Sequence, residues 1–285
     1  MLSYRHLFHA GNFADVFKHA LLVRLLAALA RKEKPFCYLD THAGTGRYDL
    51  EHAWAQKARE FEHGIARVWQ RADAPAALAE YLALVRAENP DGVLRRYPGS
   101  PCIARRMLRP GDRMVLTELN RSDFAELAER FAGDRQVQVR RMDGYEALGA
   151  FLPPPEHRGL VLIDSAFDRA GEFARIAAAL AGAHRRWATG TYAVWYPIVE
   201  PPAVRRFERE VAETGIRRIL QLALEVAPER GAGALPAGWM HGCGMLVVNP
   251  PWRLDEEAGP LLDWLRAALG RNGHGAGAVR WLVPE

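Results

Sequence analysis

Four carboxylates, Asp40, Glu118, Asp143 and Asp164, stand at or just past the ends of four short apolar runs, and this restricts the fold more than any other feature. The runs are Phe36–Leu39, Met114–Thr117, Val137–Val139 and Leu160–Ile163. Short stretches of β-branched, aromatic and other apolar residues, bounded by glycine, proline or polar residues, read as buried strands. Helical patterns alternate with them, at Phe124–Phe131, stopped by Gly133, and at Phe173–Leu180. A further strand, Tyr192–Tyr196, leads to a helix over Pro201–Ala212. Repeated strand–helix units predict a doubly wound α/β fold with a mostly parallel sheet. In such a sheet the carboxyl ends of the strands face one crevice, and ligands bind there. A single Asp at a strand end is commonly a cap or turn residue. Four in successive units are harder to attribute to capping.

The C-terminal third predicts a strand over Ile219–Leu224, a Gly- and Ala-rich loop around Gly231 to Gly238, a strand over Gly244–Val248 and a helix over Pro260–Leu269. With no helix between them, the two strands would form an antiparallel hairpin at the sheet edge. A mostly parallel seven-stranded sheet ending in such a hairpin is the Rossmann-like architecture of class I methyltransferases. Asp49 to Asn89 carries three helical patterns and no strand pattern: Trp54, Ala55, Ala58 and Phe61; Ile65, Val68 and Trp69; Ala77, Leu78, Tyr81, Leu82 and Val85. One crossover helix would suffice between parallel strands, so residues 49–95 are expected to form a helical insertion subdomain within a single domain spanning 1–285. Ser100 is placed to cap the next helix, with Pro101 at its first position. Upstream, Asn12 is placed to cap a helix running to about Arg31, and Asp15 complements its exposed amides.

Composition excludes several classes. At 49% hydrophobic and 25% charged residues this is no disordered or fibrous chain. A net charge of +4 permits a nucleic-acid partner without requiring one. Arg105, Arg106, Arg185, Arg186, Arg205 and Arg206 are candidates for phosphate contact, although solvated helix faces commonly look the same. Three scattered cysteines, Cys37, Cys102 and Cys243, exclude a disulfide framework and a C-x-x-C metal knuckle, and fit a reducing cytoplasm. The apolar run Ala20 to Ala30 faintly imitates a signal peptide. Arg24 interrupts it and it is too short to span a bilayer, so neither export nor membrane insertion is expected.

The loop after the first strand, D-T-H-A-G-T-G from Asp40 to Gly46, indicates what the crevice holds. It is not the dinucleotide fingerprint G-x-G-x-x-G, which counts against a nucleotide-dependent oxidoreductase, and no Walker lysine follows Gly46. An acidic strand end followed by G-x-G suits a ligand with ribose hydroxyls and an amino-acid tail. S-adenosylmethionine, with S-adenosylhomocysteine as product, is such a ligand. Glu118, after the second strand, can accept both ribose hydroxyls. Asp143, after the third, can accept from the adenine amine, and Asp40 with Gly44 and Gly46 can hold the methionine end. No metal is expected.

The motifs S-Y-R-H-L-F-H-A-G-N, L-D-T-H-A-G-T-G-R-Y, Y-P-G-S-P, L-T-E-L, D-G, W-Y-P and V-N-P-P-W together make the chain similar, over its whole length, to the bacterial methyltransferase J family. That family methylates N6 of an adenine in 23S ribosomal RNA, and members have been described as needed for using external DNA as a nutrient. The resemblance implies cofactor contacts at His19, His42, Ser100, Glu118, Asp143, Gly144 and Asp164. It also implies a catalytic role for Asp164 and RNA contacts at Tyr4 and at Lys18. Residues 1–34 would close over the cofactor as a lid. The implied partner is protein-free or partly assembled 23S ribosomal RNA, bound in the cytoplasm by a monomer.

One motif departs from the pattern. N6-adenine methyltransferases carry Asp or Asn, two prolines and an aromatic after the fourth strand; here the residues are Asp164, Ser165, Ala166 and Phe167. The exocyclic amine is a poor nucleophile, and two acceptors, the carboxylate and the next residue's carbonyl, hold its N–H groups for attack. The aromatic stacks on the extruded base, and the prolines stiffen the backbone. Asp164, the Ser165 carbonyl and the Phe167 ring survive here, while both prolines are missing. An active enzyme with a looser loop is the favoured reading. The alternative is a catalytically silent nucleic-acid-binding relative linked to DNA utilisation.

Overall fold

The computed structural model describes residues 5–229, 231, 233–236, 238–271 and 273–285. Its centre is a parallel array in which β1 (Cys37–Asp40) lies between β4 (Arg113–Thr117) and β6 (Gly159–Ile163). Cys37 is level with both Arg113 and Gly159, so Asp40 is level with Leu116 and Leu162. That register brings Glu118 and Asp164, each two residues further on, to the same edge as the loop leaving β1. β5 (Val137–Arg140) pairs outside β4, and β7 (Thr191–Ile198) outside β6, both parallel. β8 (Ile219–Glu225) and β9 (Gly242–Val248) form the expected antiparallel hairpin, with β9 against β7.

The seven expected strands are present, and an eighth, β10 (Ala276–Val283), pairs antiparallel to β8 and takes the edge from the hairpin. The sheet separates two layers of helices, as strand alternation requires. Tyr38 faces one core with α1 (Phe13–Ala30), α3 (Ala76–Ala87), α4 (Ser100–Met107) and α9 (Leu254–Leu269). Cys37 and Leu39 face the other, with α6 (Gly144–Phe151), α7 (Glu172–Arg186) and α8 (Pro201–Ala212). Among the described residues the remaining α-helices are α2 (Ala53–Ala58) and α5 (Arg121–Arg130).

Several local expectations change. Gly99, not Ser100, occupies the cap position of α4; Ser100 is the first helical residue and makes no capping bond. α9 begins at Leu254, leaving Pro260 inside the helix rather than at its start. α6 follows Asp143-Gly144 directly, where the sequence pattern marked no helix. In the 49–95 segment the pattern around Ile65 and Trp69 forms short 3-10 turns rather than a second α-helix. A two-stranded ribbon, β2 (Arg47–Asp49) with β3 (Arg96–Pro98), closes the base of that segment. Cys37 and Cys243 are buried and Cys102 half-buried, all three as free thiols. Among the described residues no helix is long and apolar enough to cross a membrane.

Candidate active site

A cavity of about 580 Å³ opens at the carboxyl ends of β1, β4, β5, β6 and β7, within the range of small-molecule sites. The leader and α1 cover it through His6, His9, Asn12 and Asp15. Lys18, His19, His42, Gly44, Ser100 and Glu118 line it, as do Asp143, Gly144, Asp164, Ser165 and Phe167. Asp40 and Gly46 do not reach its wall. Tyr4 lies outside the described residues. Arg105 and Arg106 are engaged elsewhere, with Asp134 and Glu88.

The loop after β1 is tied to the strand-end carboxylates. Gly44 takes a left-handed backbone (φ +59°), and its N–H donates to Glu118 Oε2 at 2.9 Å. The Asn120 N–H donates to Oε1 at 2.7 Å. Each Glu118 oxygen keeps a further lone pair for a ligand hydroxyl. Burial holds this carboxyl above its usual range. Asp143 caps α6, accepting from the Tyr145 N–H at 2.8 Å, and pairs with Arg175 at 2.7 Å. Burial opposes ionisation of Asp143, but the Arg175 guanidinium and the Tyr145 N–H outweigh it and hold the carboxyl below its usual range. Glu118 and Asp143 thus position the loops and also face the cavity.

Gly144 starts α6 hard against the loop that leaves β1. A Cβ there would lie 2.1 Å from the Thr41 carbonyl oxygen, which is backbone and cannot swing aside. Gly144→Ala is therefore expected to displace the Thr41–Gly44 loop, lowering stability by about 1–3 kcal/mol. Affinity for S-adenosylmethionine should fall at least tenfold, which titration calorimetry and urea unfolding together would measure.

Asp40 sits behind the wall. Its Oδ2 accepts from Tyr38 Oη and Ser100 Oγ, each at 2.7 Å, and its Oδ1 from the His42 N–H at 3.3 Å. Ser100, expected as a cap, instead braces this carboxylate. Burial, aided by the charge of Asp164, pushes the Asp40 carboxyl up to about 6, against the lowering effect of the hydroxyl bonds. The folded state therefore binds more protons than the unfolded state between about pH 4 and pH 6, and stability falls as pH rises through that window. The expected loss is of the order of 2–3 kcal/mol. Asp40→Asn should flatten this slope in denaturation experiments run across the window; an unchanged slope would contradict it.

At the other end of the cavity, Lys18 is buried with its ammonium between two carboxylates, Asp15 Oδ1 at 2.8 Å and Asp164 Oδ2 at 2.6 Å. Burial works against its charge, yet Asp15 and Asp164 hold its pKa well above the usual lysine value. Lys18, expected as an RNA contact, faces Asp164 from inside the fold. Asp15, read from sequence only as a helix-start charge, also accepts from His6 Nε2 and from the Gly11 N–H, both at 2.9 Å. Nothing local marks it for this role. His19 Nδ1 bonds Tyr97 Oη at 2.7 Å, and burial next to Lys18 pushes its pKa far below the usual value, so its ring is neutral at pH 7. His42 is half-buried, and desolvation lowers its pKa; its Nδ1 lies 2.8 Å from Thr41 Oγ1. Phe167 has a left-handed backbone (φ +52°), and its ring meets Phe173 and Trp195 edge-on at 5.0 and 5.9 Å. Trp195, within the W-Y-P motif, lines the cavity beside it.

The family described as ribosomal RNA large subunit methyltransferase D, RlmJ, matches residues 33–283. The ribosomal RNA large subunit methyltransferase J of Escherichia coli K12 is 44% identical over 285 residues, covering all of both chains. The protein of the same name from Haemophilus influenzae Rd is 42% identical over 286 residues, again covering both in full. The crystal structure of the Legionella pneumophila protein LPL1258 superposes with a TM-score of 0.88 at 36% identity, over 96% of this chain and 98% of that one.

Proposed function

Because this chain belongs to the ribosomal RNA large subunit methyltransferase J family, we propose that it methylates N6 of an adenine in 23S ribosomal RNA, with S-adenosylmethionine as donor. The observation that carries the reading is the sharing of one cavity: Asp164 and Phe167 face the same space as Gly44, Glu118 and Asp143. Those residues fit the donor, since the Gly44 backbone and the Glu118 and Asp143 carboxylates line one cavity of small-molecule size. Glu118 and Asp143 offer acceptors for its hydroxyls and its amine, and His19, His42 and Ser100 complete the contact set. When bound, S-adenosylmethionine supplies an electrophilic sulfonium methyl group and leaves as S-adenosylhomocysteine.

The chain's own groups do the rest. The Asp164 carboxylate accepts one N–H of the exocyclic amine and the Ser165 carbonyl the other, which orients the nitrogen lone pair for attack. Lys18 fixes the Asp164 carboxylate through its 2.6 Å bond. Phe167 stacks on the extruded base, and the leader, with Tyr4 as an RNA contact, excludes water. Extrusion costs least where RNA is not locked in assembled structure, so protein-free or partly assembled 23S RNA in the cytoplasm is the proposed partner, met by one copy of the chain. Transfer of labelled methyl groups to unmodified 23S RNA, with 16S RNA as control, tests this. Label confined to 23S RNA is expected. Donor binding without transfer to either RNA would leave the silent nucleic-acid-binding reading instead.

A further inference from the structure

We propose that Glu172 is the positioning residue of the Asp164–Phe167 loop, supplying through the Ser165 hydroxyl the orientation that a pair of prolines would otherwise give. The inference rests on the methyl-transfer reading above and deepens it. Residues 164–171, between β6 and α7, read D-S-A-F-D-R-A-G, with no proline to stiffen the backbone. Yet the loop must hold Phe167 in a left-handed conformation, sparsely populated for a residue with a side chain. Something outside the local backbone has to determine its path.

Three side chains anchor it. Asp164 is held by Lys18, and the Phe167 ring is wedged against Phe173 and Trp195. The third anchor acts on Ser165, whose carbonyl is the second acceptor for the amine. Ser165 and Glu172 are each only 6% exposed, and Ser165 Oγ donates to Glu172 Oε1. Tyr145 Oη donates to the same oxygen at 2.5 Å. Two hydroxyls on one buried carboxylate oxygen make strong, directional, charge-assisted bonds. Glu172 is also the first residue of α7, where the helix dipole favours a negative charge. Fixing Oγ fixes the Ser165 side-chain rotamer and, through the shared Cα, restricts where its carbonyl can point.

Tyr145 extends the clamp to α6. It follows Gly144 in the first turn of α6, which Asp143 caps. Its ring lies under the Arg175 guanidinium at 4.2 Å and edge-on to His42 at 5.3 Å. One carboxylate therefore holds the catalytic loop in register with the end of the cavity that carries Asp143. Glu172 also lines the cavity, and it acts on the loop through its bond to Ser165.

A mutant cycle on the full chain, assayed on unmodified 23S RNA, separates positioning from general packing. Glu172→Ala is expected to lower kcat about thirtyfold, with KM for RNA and the calorimetric Kd for S-adenosylmethionine within about threefold of the wild type. Glu172→Gln keeps an oxygen acceptor and should recover most of the lost rate. In the Ser165→Pro, Ala166→Pro chain, which lacks the hydroxyl and draws rigidity from proline rings, Glu172→Ala should cost less than about threefold. Should the proline chain not fold, Ser165→Ala serves in its place: it should reproduce the Glu172→Ala loss, and the two combined should be no worse than either alone. Equal losses from Glu172→Ala in both backgrounds, additive losses with Ser165→Ala, or a loss residing in KM or donor affinity would overturn the proposal. A wild-type protein that transfers no methyl would overturn the reading beneath it, and the clamp's role with it.

Discussion

Asp164→Ala is expected to lower the rate of methyl transfer by about 10²–10⁴-fold. Its effect on S-adenosylmethionine binding should be small by comparison. In the proposed mechanism the carboxylate accepts an N–H of a poor nucleophile and aims its lone pair, and alanine offers no acceptor. Asp164→Asn keeps an oxygen in the same place, so it should retain far more activity than alanine. The charge itself matters mainly to Lys18, which in the asparagine variant still has Asp15 at 2.8 Å. Single-turnover assays of both variants, with donor affinity measured by calorimetry, would show the split. Equal activity in the wild type and Asp164→Ala would remove this residue from the chemistry.

The largest effect on stability is expected from Asp15→Ala, at about 3–5 kcal/mol. Asp15 is 1% exposed and its carboxylate serves Lys18, His6 and the buried Gly11 N–H at once. Removing it leaves the buried Lys18 ammonium with Asp164 alone and the Gly11 N–H without this acceptor. The cost should appear as a lower urea midpoint with little change in the slope of the transition. Burial opposes ionisation of Asp15, but His6 and Lys18 outweigh it and hold its carboxyl well below the usual value. A folded-state pKa depressed in this way contributes stability that is present above the unfolded value, near pH 4, and lost as pH falls below it. The gap between wild type and Asp15→Ala should therefore narrow below about pH 4. A gap that stayed constant with pH would show that the pair contributes through packing alone.

How far the sequence reaches is clearest from particular residues. The strand-end carboxylates and the Pro201–Ala212 helix were legible because strand and helix periodicities are local properties. The Thr41–Gly44 loop was legible because its glycines stand directly after a strand. β10 was not, because its opening residues A-G-A lack the alternation that marks a strand, and its order depends on pairing with β8. α6 was hidden because Asp143-Gly144, an ordinary turn signal, also serves as a helix start. At the site, two of the missed features are pairings across long stretches of chain. Lys18 meets Asp164 across 146 positions and Ser100 meets Asp40 across 60. No spacing rule links such residues, so Lys18 and Ser100 were singled out without these partners. Asp15 and Glu172 lie near helix starts, where acidic residues are commonplace, and only their burial distinguishes them.

The most direct measurement is nucleoside mass spectrometry on unmodified 23S ribosomal RNA incubated with this protein and S-adenosylmethionine. One N6-methyladenosine per RNA is expected, lost with Asp164→Ala. Methyl incorporated at a carbon or a ribose oxygen, or no incorporation by a protein that binds the donor, would contradict the central claim.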